Sequence, residues 1–371
     1  MKKILISISL FGLVLLTLSA IKKDRNPLTE NFIIGDTEIA SINALSFGPD
    51  GILFIGDSKN AAIYAIDTKD SKTNDKAEEI MINDFDNKVA ASLGTTKDNI
   101  KITDMAVNPV SKSVYFSVNI TDGTPVLLKL IDDEFENISL SNASYSKVEL
   151  TDPVGLDETD RRGNPIRNWA IADMMYHKGK VMVSGLSNKE FKSTFRSIAF
   201  PFNKNQEFAS LEIWHAAHGR FETYAPIKAF NVINIEDEDY LLASYTCTPL
   251  VLFPLKDLKG NEHIKGRTVA ELGGGNSPVD MIVFEKNGKP KFFMSNTNRP
   301  VMRFNYDDIV NFKESLTEEV TEFAATDGVT YDNLPFVNVI QMDDLDQDNV
   351  LFLIRDREGD LVLRNRTKQW M

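Results

Sequence analysis

A single cysteine, Cys247, stands in 371 residues, together with only four histidines and three tryptophans. One cysteine cannot form an intramolecular disulfide, a multi-cysteine zinc site or a Cys-x-x-Cys-His attachment. Electron transfer through c-type haem is excluded with the last. Positive charge is short as well: 41 Lys and Arg against 54 Asp and Glu give a net charge of −13. Nucleic-acid binding through bulk charge is therefore not expected, because neutralising phosphates needs a basic surface. Long stretches of helical period are missing; residues 89–93 and 307–312 are the best short helix candidates. What remains, 42% hydrophobic, is ordinary for a packed protein and too apolar for a disordered one. The length would allow two domains, but all-β folds commonly use roughly 200 residues or more as one unit.

Residues 1–20 have the three parts of a secretory leader: Met1-Lys2-Lys3, an apolar run over 4–18, and a cleavage site after Leu18-Ser19-Ala20. The run is shorter than the about 20 residues of a membrane span. An uncleaved anchor is the alternative and the only membrane contact expected. No cysteine follows the run to carry a lipid. The Met-Lys-Lys start has a bacterial style, so a periplasmic or secreted protein is expected, with residues 21–371 as a single domain. Removing the leader takes Lys2 and Lys3 and brings the charge from −13 to −15. Four Asn-x-Ser/Thr triplets, at Asn119, Asn137, Asn142 and Asn365, matter only in a eukaryotic secretory route.

The remainder reads as short β-rich runs between turn residues. They recur on one plan: a strand, a tight polar turn, an apolar return strand, a polar loop, a third strand. The six units begin near residues 44, 104, 173, 231, 280 and 336. Radial repetition of four-stranded sheets makes a β-propeller, which buries its faces without long exposed edges. The sixth unit runs out of chain after its third strand, so residues 32–35 are expected to close the ring as its outer strand.

The first unit, Phe47-Gly48-Pro49-Asp50-Gly51 through Asp57-Ser58-Lys59-Asn60 to Ile63-Tyr64, resembles a blade of the NHL-repeat and SMP-30/gluconolactonase-like propellers. The match covers about 25 residues. It implies a six-bladed β-propeller. It carries no activity over, because the Glu, Asn and Asp metal set of the gluconolactonase-like enzymes finds no residue-by-residue match.

In a propeller the first strand of each blade lines the central channel, and the loops leading into it share one face with the loops between second and third strands. Three first strands open alike, at Asp104-Met105, Asp173-Met174 and Asp280-Met281, with Asn231 as the counterpart in the fourth. Carboxylates there could hold a cation or serve as bases, or each could cap backbone N–H groups of the neighbouring blade. The loop into the fourth unit holds His215 and His218, whose spacing puts both imidazoles on one side of a helical turn. Arg220 beside them offers a planar cation for a substrate anion. Cys247, in the facing loop of the same unit, could join them as a ligand or an activated thiolate, or be a small buried hydrophobe. Arg167, Asn188, Asn296 and Arg299 fall on the same face and suit an anionic or polyhydroxyl ligand.

Two tempting motifs fail. Asp344-Leu345-Asp346-Gln347-Asp348 starts like an EF-hand but lacks the glycine and glutamate such a loop needs. Gly273-Gly274-Gly275 does not lead from a strand into a helix, so no dinucleotide loop is expected. Two functions stand open. One is an exported metal-dependent hydrolase (lactonase- or esterase-like) or sugar-acid lyase. Its divalent metal would sit on His215, His218 and Asp104, with Asp173, Asp280 and Arg220 catalytic. The other is a non-catalytic propeller scaffold binding a glycan, peptide or protein.

Overall fold

The computed structural model describes residues 26–203 and 205–371, so the expected leader lies outside the described residues. Among the described residues no helix is long and apolar enough to cross a membrane. The chain forms a six-bladed β-propeller whose sheets are antiparallel apart from the parallel pairing of Glu262–Lys265 with Gln206–His215. The inner three strands of blade 1 are Ala44–Phe47, Ile52–Asp57 and Ala62–Asp67. Blades 2 to 6 start from Ile100–Val107, Asp173–His177, Ile227–Ile235, Pro278–Lys286 and Val339–Asp344. Each returns through a second and third strand at the positions the repeat implies. The two helix candidates overlap the helices Phe85–Ser92 and Tyr306–Asn311, each running one residue past the observed end.

The polar loop of blade 1 has a physical reason. Asp57, fully buried, accepts from the Ala40 and Asn60 backbone N–H groups, the Ser41 hydroxyl and the Asn60 amide. The Asp-x-x-Asn spacing is thus a structural clasp.

The expected ring closure needs correction. Residues 32–35 do not complete the sixth blade. Ile33–Gly35 pairs instead with Ala143–Glu149 on the outside of blade 1, leaving Ile33 and Ile34 exposed. The outer strand of blade 6 is Met81–Ile82, paired with Leu363 and Arg364. Burial explains the choice. Ile82 is fully buried among Leu351, Leu353 and Leu363, and Asp346 holds the segment before it by accepting from Ala77 N–H at 3.0 Å.

The blades do not follow one another around the ring in chain order. The inner strand of blade 1 packs against those of blades 2 and 3, and the inner strand of blade 2 packs against that of blade 6. Around the channel the order is therefore 1, 3, 4, 5, 6, 2. After blade 1 the chain supplies the edge strand of blade 6, builds blade 2 between blades 6 and 1, then returns as Ala143–Glu149 to finish blade 1. The apolar clusters agree: Met105, Val107 and Phe116 pack with Leu351 and Leu353, whereas Ala106, Tyr115 and Leu127 pack with Leu45, Leu53 and Tyr64.

If Met81–Ile82 closes the ring, Ile82→Ala removes buried methylenes at the seam. It should cost about 2–4 kcal/mol and lower the urea unfolding midpoint. Ile34→Ala, on the exposed outermost strand, should leave that midpoint unchanged.

Candidate functional site

Four aspartates ring the channel, one on the inner strand of each of blades 2, 3, 5 and 6. Each accepts twice with the same geometry. One oxygen takes the N–H of the next residue: Met105, Met174, Met281 and Asp344 donate to Asp104, Asp173, Asp280 and Asp343 at 2.7–2.8 Å. The other takes an N–H from the neighbouring blade. Leu45 donates to Asp104 at 2.6 Å, Phe230 to Asp173 at 3.0 Å, Met342 to Asp280 at 2.8 Å and Val107 to Asp343 at 2.7 Å. Asn231 accepts from Val232 N–H in the same local way, and Ser46 accepts from Tyr176 N–H. The capping role is therefore the one these residues fill. They line a cavity of about 340 Å³ with Lys112 and Pro109 at its far-face end.

Burial pushes Asp104 well up, with the Asp280 and Asp173 charges adding to it. Burial raises Asp173 to about 8, again with Asp280 adding, and Asp343 to about 7. Asp280 itself is raised to about 6 by burial.

The histidine loop forms a second, separate cluster; no residue lining the channel cavity belongs to it. The outer strand of blade 3, Gln206–His215, ends in one turn, Ala216–His218, and comes back as Arg220–Glu222. Gly219 makes this reversal in the left-handed region at φ 56, where a side chain would also meet Glu319 at 2.8 Å. The turn brings His215 and His218 together, with ring centroids 3.9 Å apart and the rings tilted by 39°. The hairpin then carries Glu222 back beneath both rings. His215 Nδ1 lies 2.9 Å from one Glu222 oxygen and His218 Nδ1 2.8 Å from the other. Arg220 Nε and the Tyr224 hydroxyl donate to Glu222 as well, at 3.1 and 2.9 Å. Burial would raise the Glu222 carboxyl, but the hydrogen bonds from His215 and His218 outweigh it and hold it well below the usual carboxylate range. Glu222 is thus an ionised acceptor, which makes both Nδ1 atoms donors.

The second nitrogen of His215 is unsatisfied. Its Nε2 is buried without a hydrogen-bond partner, and so is Oε1 of Glu271 beside it. The other Glu271 oxygen lies 3.9 Å from His215 Nε2 and accepts from Ala217 N–H. Burial raises the Glu271 carboxyl. Cys247 completes the cluster: donor atoms of His215, His218 and Cys247 lie within 4.8 Å of one another. Cys247 and Thr248 both sit in the left-handed region, at φ 62 and 64, which is rare for residues with a side chain. The pair is held there by Cys247 N–H on the Asn276 carbonyl and the Thr248 hydroxyl on the Gly273 carbonyl. The triple glycine before blade 5 thus frames this loop. Residues 316–320 cross the outside of the cluster: Trp214 Nε1 donates to the Glu318 carbonyl, and Val320 N–H to the Ala216 carbonyl.

The remaining sequence candidates divide. Arg220 joins the histidines but spends its guanidinium on Glu222 and Tyr224. Asp104, Asp173 and Asp280 stay in the channel, apart from them. Arg167 donates to the carbonyls of Lys59 and Val154. Asn296 is buried, tied to Asn276, Met294 and Pro300, and Arg299 donates to the Ala324 carbonyl. Asn188 is exposed. Sequence reading missed Glu222 and Glu271. The alternation Arg220-Phe221-Glu222 after a glycine signals a returning strand, and Glu271 is the one acid ending the apolar run Val269-Ala270.

No protein-family model and no curated protein matches the chain. Solved structures similar in fold include a bifunctional GH43-CE protein of Bacteroides eggerthii (13% identity, TM-score 0.38), covering 79% of this chain and only 35% of that one. A mitotic checkpoint complex structure matches at 8% identity and TM-score 0.39, with 94% and 98% covered. A Thermus thermophilus protein, provisionally described as an oxidoreductase (glucose dehydrogenase), matches at 11% and 0.33, with 90% and 100% covered. Such remote likeness says nothing about activity.

The channel acids make a signed prediction. Their folded pKa values lie above the unfolded value, so between about pH 4 and 8 the folded chain holds protons that the unfolded chain has lost. Their contribution to stability therefore falls as pH rises through that window. Asp280→Asn removes the charge that Asp104, Asp173 and Asp343 share. It should flatten the decline of the urea midpoint between about pH 5 and pH 8, whatever its effect on the midpoint itself.

Proposed function

We propose that this propeller is a metal-dependent hydrolase, acting on a polar or anionic small molecule at its loop face. Its metal would be held by His215, His218 and Cys247. The observation that carries the reading is the Glu222 carboxylate under both imidazoles. A carboxylate that takes Nδ1–H from two adjacent histidines fixes their tautomer and raises the basicity of both Nε2 atoms. His215 Nε2 and Glu271 Oε1 are both buried without hydrogen-bond partners. A cation would satisfy both atoms at once, with Glu271 as a further oxygen donor.

Two imidazoles, a thiolate and a carboxylate suit zinc or another late first-row ion rather than calcium or magnesium. Such an ion supplies Lewis-acid polarisation of a carbonyl or phosphoryl oxygen. The chain's own groups do the rest. Glu222 orients the ligands. Arg220 and Tyr224 hold Glu222 and present a cationic, hydroxyl-bearing rim, with Arg161 4.9 Å over the Tyr224 ring. Phe221 adds an exposed apolar wall, packed on Trp214. His218, the more exposed of the two imidazoles, marks the side open to a substrate. The channel aspartates take no part, since their oxygens are committed to backbone donors. A leader at residues 1–20 would send the protein to the periplasm or medium, where zinc-type sites are loaded from outside.

Purified mature protein should carry one equivalent of zinc, or bind added zinc, by elemental analysis. His215→Ala/His218→Ala should lose it, and Glu222→Gln should weaken it by about 10–100-fold. The cobalt-loaded form should show a thiolate charge-transfer band that disappears in Cys247→Ser. Wild-type protein that binds neither zinc nor cobalt would overturn the reading.

A further inference from the structure

The long entry into blade 3 carries a hairpin tip with two adjacent arginines, Arg161 and Arg162. Residues 159–165 fold back on themselves: Thr159 is bridged to Pro165, and Asp160 N–H donates to the Asn164 carbonyl at 2.9 Å. The Asp160 carboxylate fills the turn. It accepts from the Arg162 and Asn164 backbone N–H groups at 2.8 and 2.9 Å and from the Asn164 amide at 3.0 Å. Gly163 turns the chain in the left-handed region at φ 82. The tip is thus built without a ligand, which lowers the ordering cost of binding one.

The tip lands on the rim of the histidine cluster. The Arg161 guanidinium lies over the Tyr224 ring, its Cζ 4.9 Å from the centroid. The Tyr224 hydroxyl accepts from Arg220 Nη2 at 3.1 Å and donates to Glu222 Oε1 at 2.9 Å. His218 Nδ1 approaches that same oxygen at 2.8 Å. One short chain of contacts therefore runs from His218 through Glu222 and Tyr224 to Arg161. Its ends are open to solvent: the His218 side chain is 39% exposed, Tyr224 is 38% exposed, and Arg161 is exposed. The acids of the entry do not neutralise the tip. Glu158 pairs with Lys192 and accepts from Gly155 N–H. Asp160 is turned into its own turn, and Asp157, exposed, forms no ion pair among the described residues. Arg161 has neither a hydrogen-bond acceptor nor an ion-pair partner among the described residues, so its five N–H donors stay unused.

We propose that Arg161 is a specificity-determining residue of this site. It takes a carboxylate or phosphate group at the end of the substrate away from the metal. The substrate class is then a hydrolysable small molecule that bears a second, remote oxyanion. The assignment rests on the metal site proposed above. A guanidinium laid flat on an aromatic ring keeps its edge free for a bidentate oxyanion. Arg220 adds positive charge to the same rim while staying on Glu222.

Cobalt-loaded mature protein is titrated with acetate, succinate and 3-phosphonopropionate at constant ionic strength, and dissociation constants are read from the cobalt absorption. All three offer one carboxylate to the metal; the last two add a second anionic group. Succinate or 3-phosphonopropionate should bind about tenfold more tightly than acetate, and the tighter of the two identifies the group that Arg161 takes. Arg161→Ala should bring both back to the acetate value with cobalt still bound. Arg162→Ala, which removes the same charge from the same tip, should keep the preference. A protein that takes up no cobalt overturns the metal reading and this assignment with it. The assignment alone is overturned by a cobalt protein that binds none of the three anions, or binds the dianions no more tightly than acetate. It is equally overturned if the preference survives in Arg161→Ala or is lost to the same extent in Arg162→Ala.

Discussion

The ring is held at its axis by one repeated interaction: a buried aspartate that accepts its own following N–H and an N–H of the next blade. Inner strands of adjacent blades do not pair as a sheet, so their backbone groups facing the seam need another partner. An ionisable oxygen pair on a short side chain meets that need at four seams and at the same time fixes the height of one blade against the next. The cost is electrostatic. Four carboxyls in one channel disfavour one another's ionisation, which is why burial and the Asp280 charge appear together behind Asp104, Asp173 and Asp343. The Asp-Met repeat thus belongs to the architecture, and chemistry has to be sought elsewhere on the loop face.

It is sought best where the polar groups are left wanting. The channel aspartates are satisfied on both oxygens. Glu222 is satisfied several times over. His215 Nε2 and Glu271 Oε1 are not. The contrast separates residues that hold the fold from residues held ready by it. Strain points the same way: Cys247 and Thr248 adopt left-handed backbone in succession, stabilised from the glycine-rich segment on the other side of the loop.

Much of this was legible in the chain. The first and second strands of each blade announce themselves through apolar runs flanking turns such as Gly48-Pro49-Asp50-Gly51 and Asn287-Gly288, because turn chemistry is local. The outer strands were not legible. Met81–Ile82 is two residues long and Ala143–Glu149 alternates without strong apolar content, and each is defined by a partner far away in sequence. For the same reason the ring order escaped. At the site, His215, His218 and the nearness of Cys247 could be read from spacing and loop position. Glu222 and Glu271 could not, since their roles arise from a hairpin return and from the packing of blade 3 on blade 4.

The out-of-order placement of blade 2 has a temporal side. A chain emerging from the ribosome or a translocation pore delivers blade 1 without its fourth strand, then the edge strand of blade 6 some 280 residues ahead of the Leu363 it must meet. Only the very end of the chain lets that seam shut. Ile82 and the apolar face of blade 2 therefore wait, solvent-exposed, through the synthesis of four further blades, and a fold rich in such distant pairings acquires its order slowly. An N-terminal fragment of this protein, however long, is a ring with an open sector.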